Sequence, residues 1–202
     1  MAITSLNNLG VPNAGGNAAM LMPKLKYRFR VTLLNFGASL STELTKQVMD
    51  VARPTVNFEE IEVPIYNSRV YLAGRHSWEA ITLNVRDDAS GEVQRLVGQQ
   101  LQKQFDFMEQ ASAAAGADYK FTTKIEILDG GNASLAPSIL ETFELYGCFV
   151  QNANYNDLNY GSNEAVTIAL SIRYDNAVQT PIEGGIGASG IARTLIGSAA
   201  TG

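Results

Sequence analysis

Apolar and polar residues alternate with a period of two through most of the middle of the chain, the signature of strands with one buried face. In KYRFRVTLLNF, Tyr27, Phe29, Val31 and Leu33 alternate with Lys26, Arg28, Arg30 and Thr32. EAITLNVR repeats the pattern with Ile81, Leu83 and Val85, and YKFTTKIEIL with Tyr119, Phe121, Thr123, Ile125 and Ile127. Two longer strands are expected after these. ILETFELYGCFV sets Phe143, Leu145 and Phe149 on one face, and EAVTIALSIRY sets Val166, Ile168, Leu170, Ile172 and Tyr174. Weaker strands are expected over 44–51 and 56–65, where Pro54 and Pro64 suit an edge or a bend.

One segment changes period. From Gly91 to Ala114, Val93, Leu96, Val97, Leu101, Phe105 and Met108 recur every three or four residues, which predicts one amphipathic helix of about six turns. Ser90 is the expected N-cap, Asp87, Asp88 and Glu92 suit the positive helix end, and Gly116 is expected to close it. DGGN at 129–132 and NYG at 159–161 are turn signals. The sum is a mainly β fold: two packed antiparallel sheets forming a small barrel or sandwich, with one flanking helix. The expected organisation is an N-terminal tail over 1–23, the β-domain over 24–178 with its helix near 91–114, and a Gly/Ser/Ala-rich tail over 179–202. The tails lack periodicity but hold a few large apolar residues (Leu21, Met22, Ile191, Leu195, Ile196), a mix suited to ordering against a neighbour.

Charge and rare residues narrow the chemistry. The net charge of -5 opposes tight nucleic-acid binding, which needs clustered Lys and Arg. A single cysteine, Cys148, excludes an internal disulfide framework, and a single histidine, His76, excludes multi-histidine metal sites. No basic n-region or apolar h-region opens the sequence, and no apolar run reaches the roughly 18 residues of a membrane span.

No catalytic constellation emerges, and neither a cofactor nor a metal is expected. Gly185-Ile-Gly187-Ala-Ser-Gly190 spells the dinucleotide pattern, yet it follows no strand and opens no amphipathic helix. Asn132-Ala-Ser134 is a sequon inside a turn. Cys148 alternates opposite Phe149 and reads as a small packing residue. Glu59 and Glu60 would point to opposite faces of a strand, and Asp87 and Asp88 are explained by the helix that follows.

What remains is YNSRVYLAGRHSW, residues 66–78, which reads as half strand and half loop. Tyr and Arg are enriched at protein interfaces, so Tyr66, Asn67, Arg69, Tyr71, Arg75 and His76 form a candidate docking arm. An ordinary hairpin with solvated charges is the competing reading.

The order of features resembles the tail tube proteins of contractile-tailed bacteriophages, a family related in fold to type VI secretion tubes. The matching order is the strand YRFRVTLLNF, the segment EEIEVPIYNSRVYLAGRHSWEAITLNVRDD, the helix with Phe105 and Phe107, ILDGGN, LETFELYGCFV and TIALSIRYDN. The most specific part is VPIYNSRVYLAGRHSWEAITLNV: a Pro-bearing strand, an Asn-x-Arg arm, a Gly-Arg turn and an alternating strand. The similarity covers about residues 25–176.

The resemblance implies a structural, non-enzymatic subunit of the virion tail, assembled in the host cytoplasm. Hexameric rings of it would stack into a tube whose lumen conducts DNA without binding it. Its partners would be further copies of itself and the tail sheath, baseplate and tail terminator proteins, with no membrane binding. On this implication the arm bridges subunits, the strands at 139–150 and 164–174 are shared around the lumen, and Glu141, Glu144 and Glu164 are candidates to face it. An acidic wall would repel phosphate. The tube of a type VI system or of a phage-derived bacteriocin fits the same pattern. A monomeric small-ligand-binding β-barrel is the alternative from another class.

Overall fold

The structure, a computed structural model, describes residues 23–37, 43–129 and 137–181. Eleven strands and two helices are assigned among them: β1 (Phe29–Leu34), β2 (Val48–Val51), β3 (Val56–Ile65), β4 (Ser68–Trp78), β5 (Ile81–Arg86), α1 (Glu92–Gln104), β6 (Phe105–Asp106), β7 (Ala111–Ser112), α2 (Gly116–Tyr119), β8 (Phe121–Leu128), β9 (Ile139–Asn154), β10 (Thr167–Arg173) and β11 (Asn176–Pro181). The main sheet runs β1-β8-β9-β10-β5-β2, with β11 also paired to β9, and every pairing is antiparallel. It does not close into a barrel. It folds over into two layers, a sandwich with the apolar faces inside.

The fold-over happens within β9. Its first half pairs with β8 and β11 (Lys124 and Val178 both opposite Glu144), and its second half pairs with β10 (Ile172 opposite Val150). Between the halves, Gly147 sits at φ 68, and the chain leaving β10 turns opposite it, with Asp175 N–H donating to Tyr146 O at 3.0 Å. The bend shifts the alternation by one residue. Phe143 and Leu145 point inward before it, and Cys148 and Val150 point inward after it. Phe149 therefore lies on the opposite face from Phe143 and Leu145, which corrects the single face expected from the sequence. Cys148 is fully buried, and burial pushes its thiol pKa up.

Elsewhere the alternation holds. Val31 and Leu33, Ile81, Leu83 and Val85, Phe121 and Ile125, and Ile168, Leu170, Ile172 and Tyr174 are all buried. Each such aliphatic side chain contributes about 1.5–3 kcal/mol through its burial. Tyr27 and Val166, expected on these inner faces, are exposed because they precede the paired residues of β1 and β10. β11 carries regular pairing to Pro181, across the boundary expected near 178. With Ala177 buried and Val178 half-buried beside it, the strand has little alternation to announce it. The 129–132 turn extends beyond the described residues, as do the apolar residues named in the two tails.

Helix α1 packs on the fold through Val93, Leu96, Val97 and Gln100. The buried Gln100 amide accepts from Gly37 N–H at 3.0 Å and donates to Tyr119 O at 2.7 Å, tying the helix to the end of β1 and to α2. The helix is shorter than its periodicity predicts. It ends at Gln104, whose amide makes two 2.9 Å bonds to the backbone of Val150, and Phe105 turns extended (φ -153, ψ 126). Asp106 then accepts from Met108 and Glu109 N–H, an Asx turn that opens the small β6–β7 hairpin. Phe105 and Met108 thus fell into helical spacing by coincidence; Met108 is 91% exposed. Gly91, not Ser90, is the N-cap, and the N–H of Val93 is satisfied by Asp88, on which Ser90 Oγ also donates. Those bonds lower the Asp88 pKa, the Ser90 contact most. Gly116 begins α2 and does not close α1.

A methyl group at Gly147 would lie 2.1 Å from Asp175 Oδ2 and 2.7 Å from its Cγ. Gly147→Ala is expected to lower stability by about 3 kcal/mol in thermal or denaturant unfolding, from clash and positive φ together. Gly147→Ala/Asp175→Ala should relieve the clash and leave the positive-φ cost of about 1–2 kcal/mol, together with the small loss of the exposed Lys120–Asp175 pair.

Candidate functional site: an amphipathic ribbon

β3 and β4 form a separate two-stranded sheet, of ten and eleven residues, that leaves the body as a ribbon roughly 35 Å long. Its root is held by Trp78, which is 7% exposed and packs on Tyr174 at 5.7 Å. Burial pushes the Tyr174 hydroxyl to a pKa of about 12, so it stays neutral. Glu79 N–H donating to Thr55 O at 3.0 Å closes the base.

Residues 66–78 are more regular than the half-strand, half-loop reading: Ser68–Trp78 is one strand. The expected Gly-Arg turn is a bulge within it. Phe58 pairs with His76 and Glu60 with Ala73, so β4 carries one extra residue there. A Cβ at Gly74 would approach Glu59 O at 2.9 Å, which is why glycine occupies the bulge. The extra residue brings His76 onto the same face as Tyr71 and Arg69, opposite Phe58, Glu62 and Pro64 respectively. Arg69 bonds Glu62 at 3.0 Å on that face, and the His76 ring lies 6.2 Å from Phe58 and 6.3 Å from Trp78. Arg75 is at the bulge, and Tyr66 and Asn67 form the tip.

The opposite face is apolar, and the polar candidates singled out from the sequence did not include it. Ile61 pairs with Leu72 and Val63 with Val70, and Ile65 completes the stripe. All five are 37–52% exposed. Cross-strand partners share a face, so the stripe is continuous along the outer half of the ribbon. Its signal was present in the alternation of IEVPI and VYL. Nothing in the alternation says whether a face is covered by the same chain or by another.

Tyr66 adds a local tension. It adopts φ 51 with its side chain fully exposed, a conformation that favours Gly or Asn. Its ring makes the tip aromatic at the expense of the turn.

The three carboxylates considered for a channel wall lie in different surroundings. Glu141 is buried, bonded by Lys24 and Gln179; burial raises its pKa, but those contacts outweigh it and the net shift is downward. Glu144 is half-buried, 2.7 Å from Lys124 and bonded by Tyr146 OH. Lys124 first and Tyr146 second hold its pKa below the usual carboxylate value. Glu164 is exposed in the loop between β9 and β10, where Gly161 N–H donates to Asn159 Oδ1 at 2.8 Å in the expected NYG turn. Glu59 and Glu60 occupy opposite faces of the ribbon, as their adjacency requires.

No family model and no curated protein sequence matches the chain. Solved structures do. A chain of the sheath–tube complex of an extracellular contractile injection system (PVC) in the extended state aligns with TM-score 0.58 at 13% identity, over 84% of this chain and 99% of that one. A chain from the tube-terminating cap of the anti-feeding prophage aligns with TM-score 0.58 at 16% identity, over 90% and 99%. One from the anti-feeding prophage baseplate aligns with TM-score 0.55 at 17% identity, over 81% and 99%. The fold is one found in contractile injection assemblies. The likeness is one of architecture, in agreement with the class that the sequence pattern resembles.

Two outcomes test this geometry. Tyr66→Asn should relieve the tip and slow amide exchange across β3–β4 about fivefold, a gain of about 1 kcal/mol measured by hydrogen exchange. Lys124→Gln should raise the Glu144 titration midpoint, read from carboxyl-carbon NMR shifts. Because the folded-state pKa is depressed, this pair contributes stability above about pH 4.5, which is lost as pH falls through the lowered value. The variant should lose that contribution at neutral pH.

Proposed function

We propose that the chain is a structural subunit of the inner tube of a contractile phage tail, assembling as stacked hexameric rings whose lumen conducts DNA. The observation that carries this reading is the exposed apolar stripe of the ribbon. Isolated two-stranded hairpins are marginal in water, and a third strand or an apolar partner is needed to secure one. A ribbon this long with Ile61, Val63, Ile65, Val70 and Leu72 uncovered is therefore built to be covered by another chain. The architectural likeness to chains of sheath–tube, cap and baseplate assemblies supports a tube role.

The body has matching needs. β1, β2 and β11 each pair on one side only among the described residues, and sheet shared between neighbours would satisfy such edges. The strands β9 and β10 are the proposed lumen sheet. Of the three carboxylates considered for its wall, Glu164 is the one most open to water; Glu141 and Glu144 carry paired charge. Six copies at -5 each give about -30 per ring, a field that discourages DNA from sticking. Sheath, baseplate and terminator proteins would meet the outside and the ends. The mechanism has no bond-making step: modest contacts repeated around and between rings sum to a rigid cylinder. The same physics would serve a type VI or bacteriocin tube.

Negative-stain microscopy and sedimentation of the wild type should show rings or hollow tubes. Replacing residues 61–72 by Asn-Gly, between the cross-strand partners Glu60 and Ala73, should leave a folded body by circular dichroism and reduce assembly by roughly tenfold or more. Equal tube yield from the shortened chain would remove the ribbon from the assembly contacts.

A further inference from the structure

The strand path that begins at β1 and ends at β2 leaves a seam between those two strands where the two layers do not join. The seam is an open groove. Near the 3-10 turn Glu43–Lys46 it is lined by Phe29, Val31, Val48 and Met49, and it widens toward Lys24 and Arg53 into a cavity of ≈ 530 Å³. The floor of the wider part is apolar: Phe29, Val51, Ile125 and Ile127. Its rim is basic: Lys24, Lys26, Arg28 and Arg53, with Asp50 the one acid among the residues that line it. Four of the 15 Lys and Arg residues of an acidic chain thus converge on one apolar trough.

The ribbon has the complementary character. In line with its apolar stripe, at the inner end, stands the exposed Glu59, whereas Glu60 and Glu62 lie on the other face and Glu62 is bonded there to Arg69. The ribbon leaves the body four residues after β2, at Ala52–Thr55, beside the groove's wide end, yet its stripe stays uncovered. The chain does not fill its own groove with its own ribbon. We propose that the β1–β2 groove is the receptor for the β3–β4 ribbon of a second copy, the Ile61–Val70 stripe meeting the apolar floor and Glu59, on the same face, meeting Lys26 and Arg53. This rests on the reading of the ribbon as an assembly arm and adds the surface it docks on. Donor and receptor are different patches of one chain, so the contact is heterologous: after one pairing the donor keeps a free groove and the receptor a free ribbon. Such contacts continue until a ring closes or a filament grows.

The test uses the full chain with charges reversed on one side at a time. Glu59→Lys should repel the native groove, and Lys26→Glu/Arg53→Glu should repel the native ribbon. All three side chains are exposed, and thermal melts check that each variant folds; Lys26→Gln/Arg53→Gln replaces the groove variant if it does not. Each variant alone is expected to lose roughly tenfold or more in assembly by sedimentation, since like charges across an interface oppose it. The equimolar mixture should recover most of the wild-type yield. In it the Lys ribbon meets the Glu groove, and the Glu ribbon meets the Lys and Arg groove, so the two chains alternate. Full assembly of the groove variant alone overturns the proposal. Losses that mixing does not restore overturn the ribbon as occupant and leave residues 1–22 for that place. The arm reading fails separately if the chain shortened at 61–72 assembles normally, and a wild type that stays monomeric at every concentration overturns both.

Discussion

The architecture depends on a single backbone event, the turn of β9 at Gly147. One strand of sixteen residues serves both layers because its middle residue takes a positive φ that has no room for a side chain beside Asp175. A one-residue slip in a strand exchanges its two faces. Here the slip is built in, and it keeps Phe143 and Leu145 in the same core as Cys148 and Val150 while the sheet changes direction. The matching turn at Asp175 lets β10 and β11 follow as a second strand bent around the same corner. The corner leaves β1 and β2 at the two ends of the strand path, and the ribbon springs from beside β2.

Much of this was legible because most strands have one wet face. β1, β5, β8 and β10 announce themselves by alternation, and their inner residues are the ones the pattern selects. The failures have physical causes. Alternation presumes regular pleating, so it could not foresee that Gly147 would reverse the sense of Phe149. Periodicity counts apolar residues without regard to side-chain bonds with the backbone. It carried the helix past Gln104, where the amide ties to Val150 and the Asx turn of Asp106 had already ended it. The ribbon exposes a deeper gap. Over Ile61–Ile65 its alternation is as clean as that of β5, and sequence alone does not separate a strand buried by its own chain from one awaiting a partner.

Charge has a similar lesson. The net value of -5 describes the chain, not any of its faces. On the outer side of β1, β8 and β9, Arg30 bonds Glu126 at 2.6 Å and Lys124 lies 2.7 Å from Glu144, so opposite charges alternate across neighbouring strands. Lys24 meets Glu141 near the end of the same sheet. Such pairs hold register, with Glu126 and Glu141 buried beneath the more exposed Arg30 and Lys24, and paired charge produces little field at a distance. The uncompensated acid belongs in part to the ribbon, and the converging bases to the groove. The separation of the two is what gives the molecule a direction.

That direction links stability to assembly. A lone ribbon gains little from its cross-strand pairs, since one face is apolar and in water, and Tyr66 strains the tip. A groove between two strand edges that are unpaired among the described residues is equally incomplete. On the proposed docking each half removes the other's liability, and within one chain β1 and β2 stand unpaired with each other at the two ends of the strand path. Covering the stripe at about 25 cal/mol per Å² gives each contact a modest favourable free energy, less the entropy of ordering the ribbon. Modest contacts suit a ring or tube better than strong ones. Closure multiplies them across many identical joints, while each joint stays reversible enough for a misplaced copy to leave before the structure propagates.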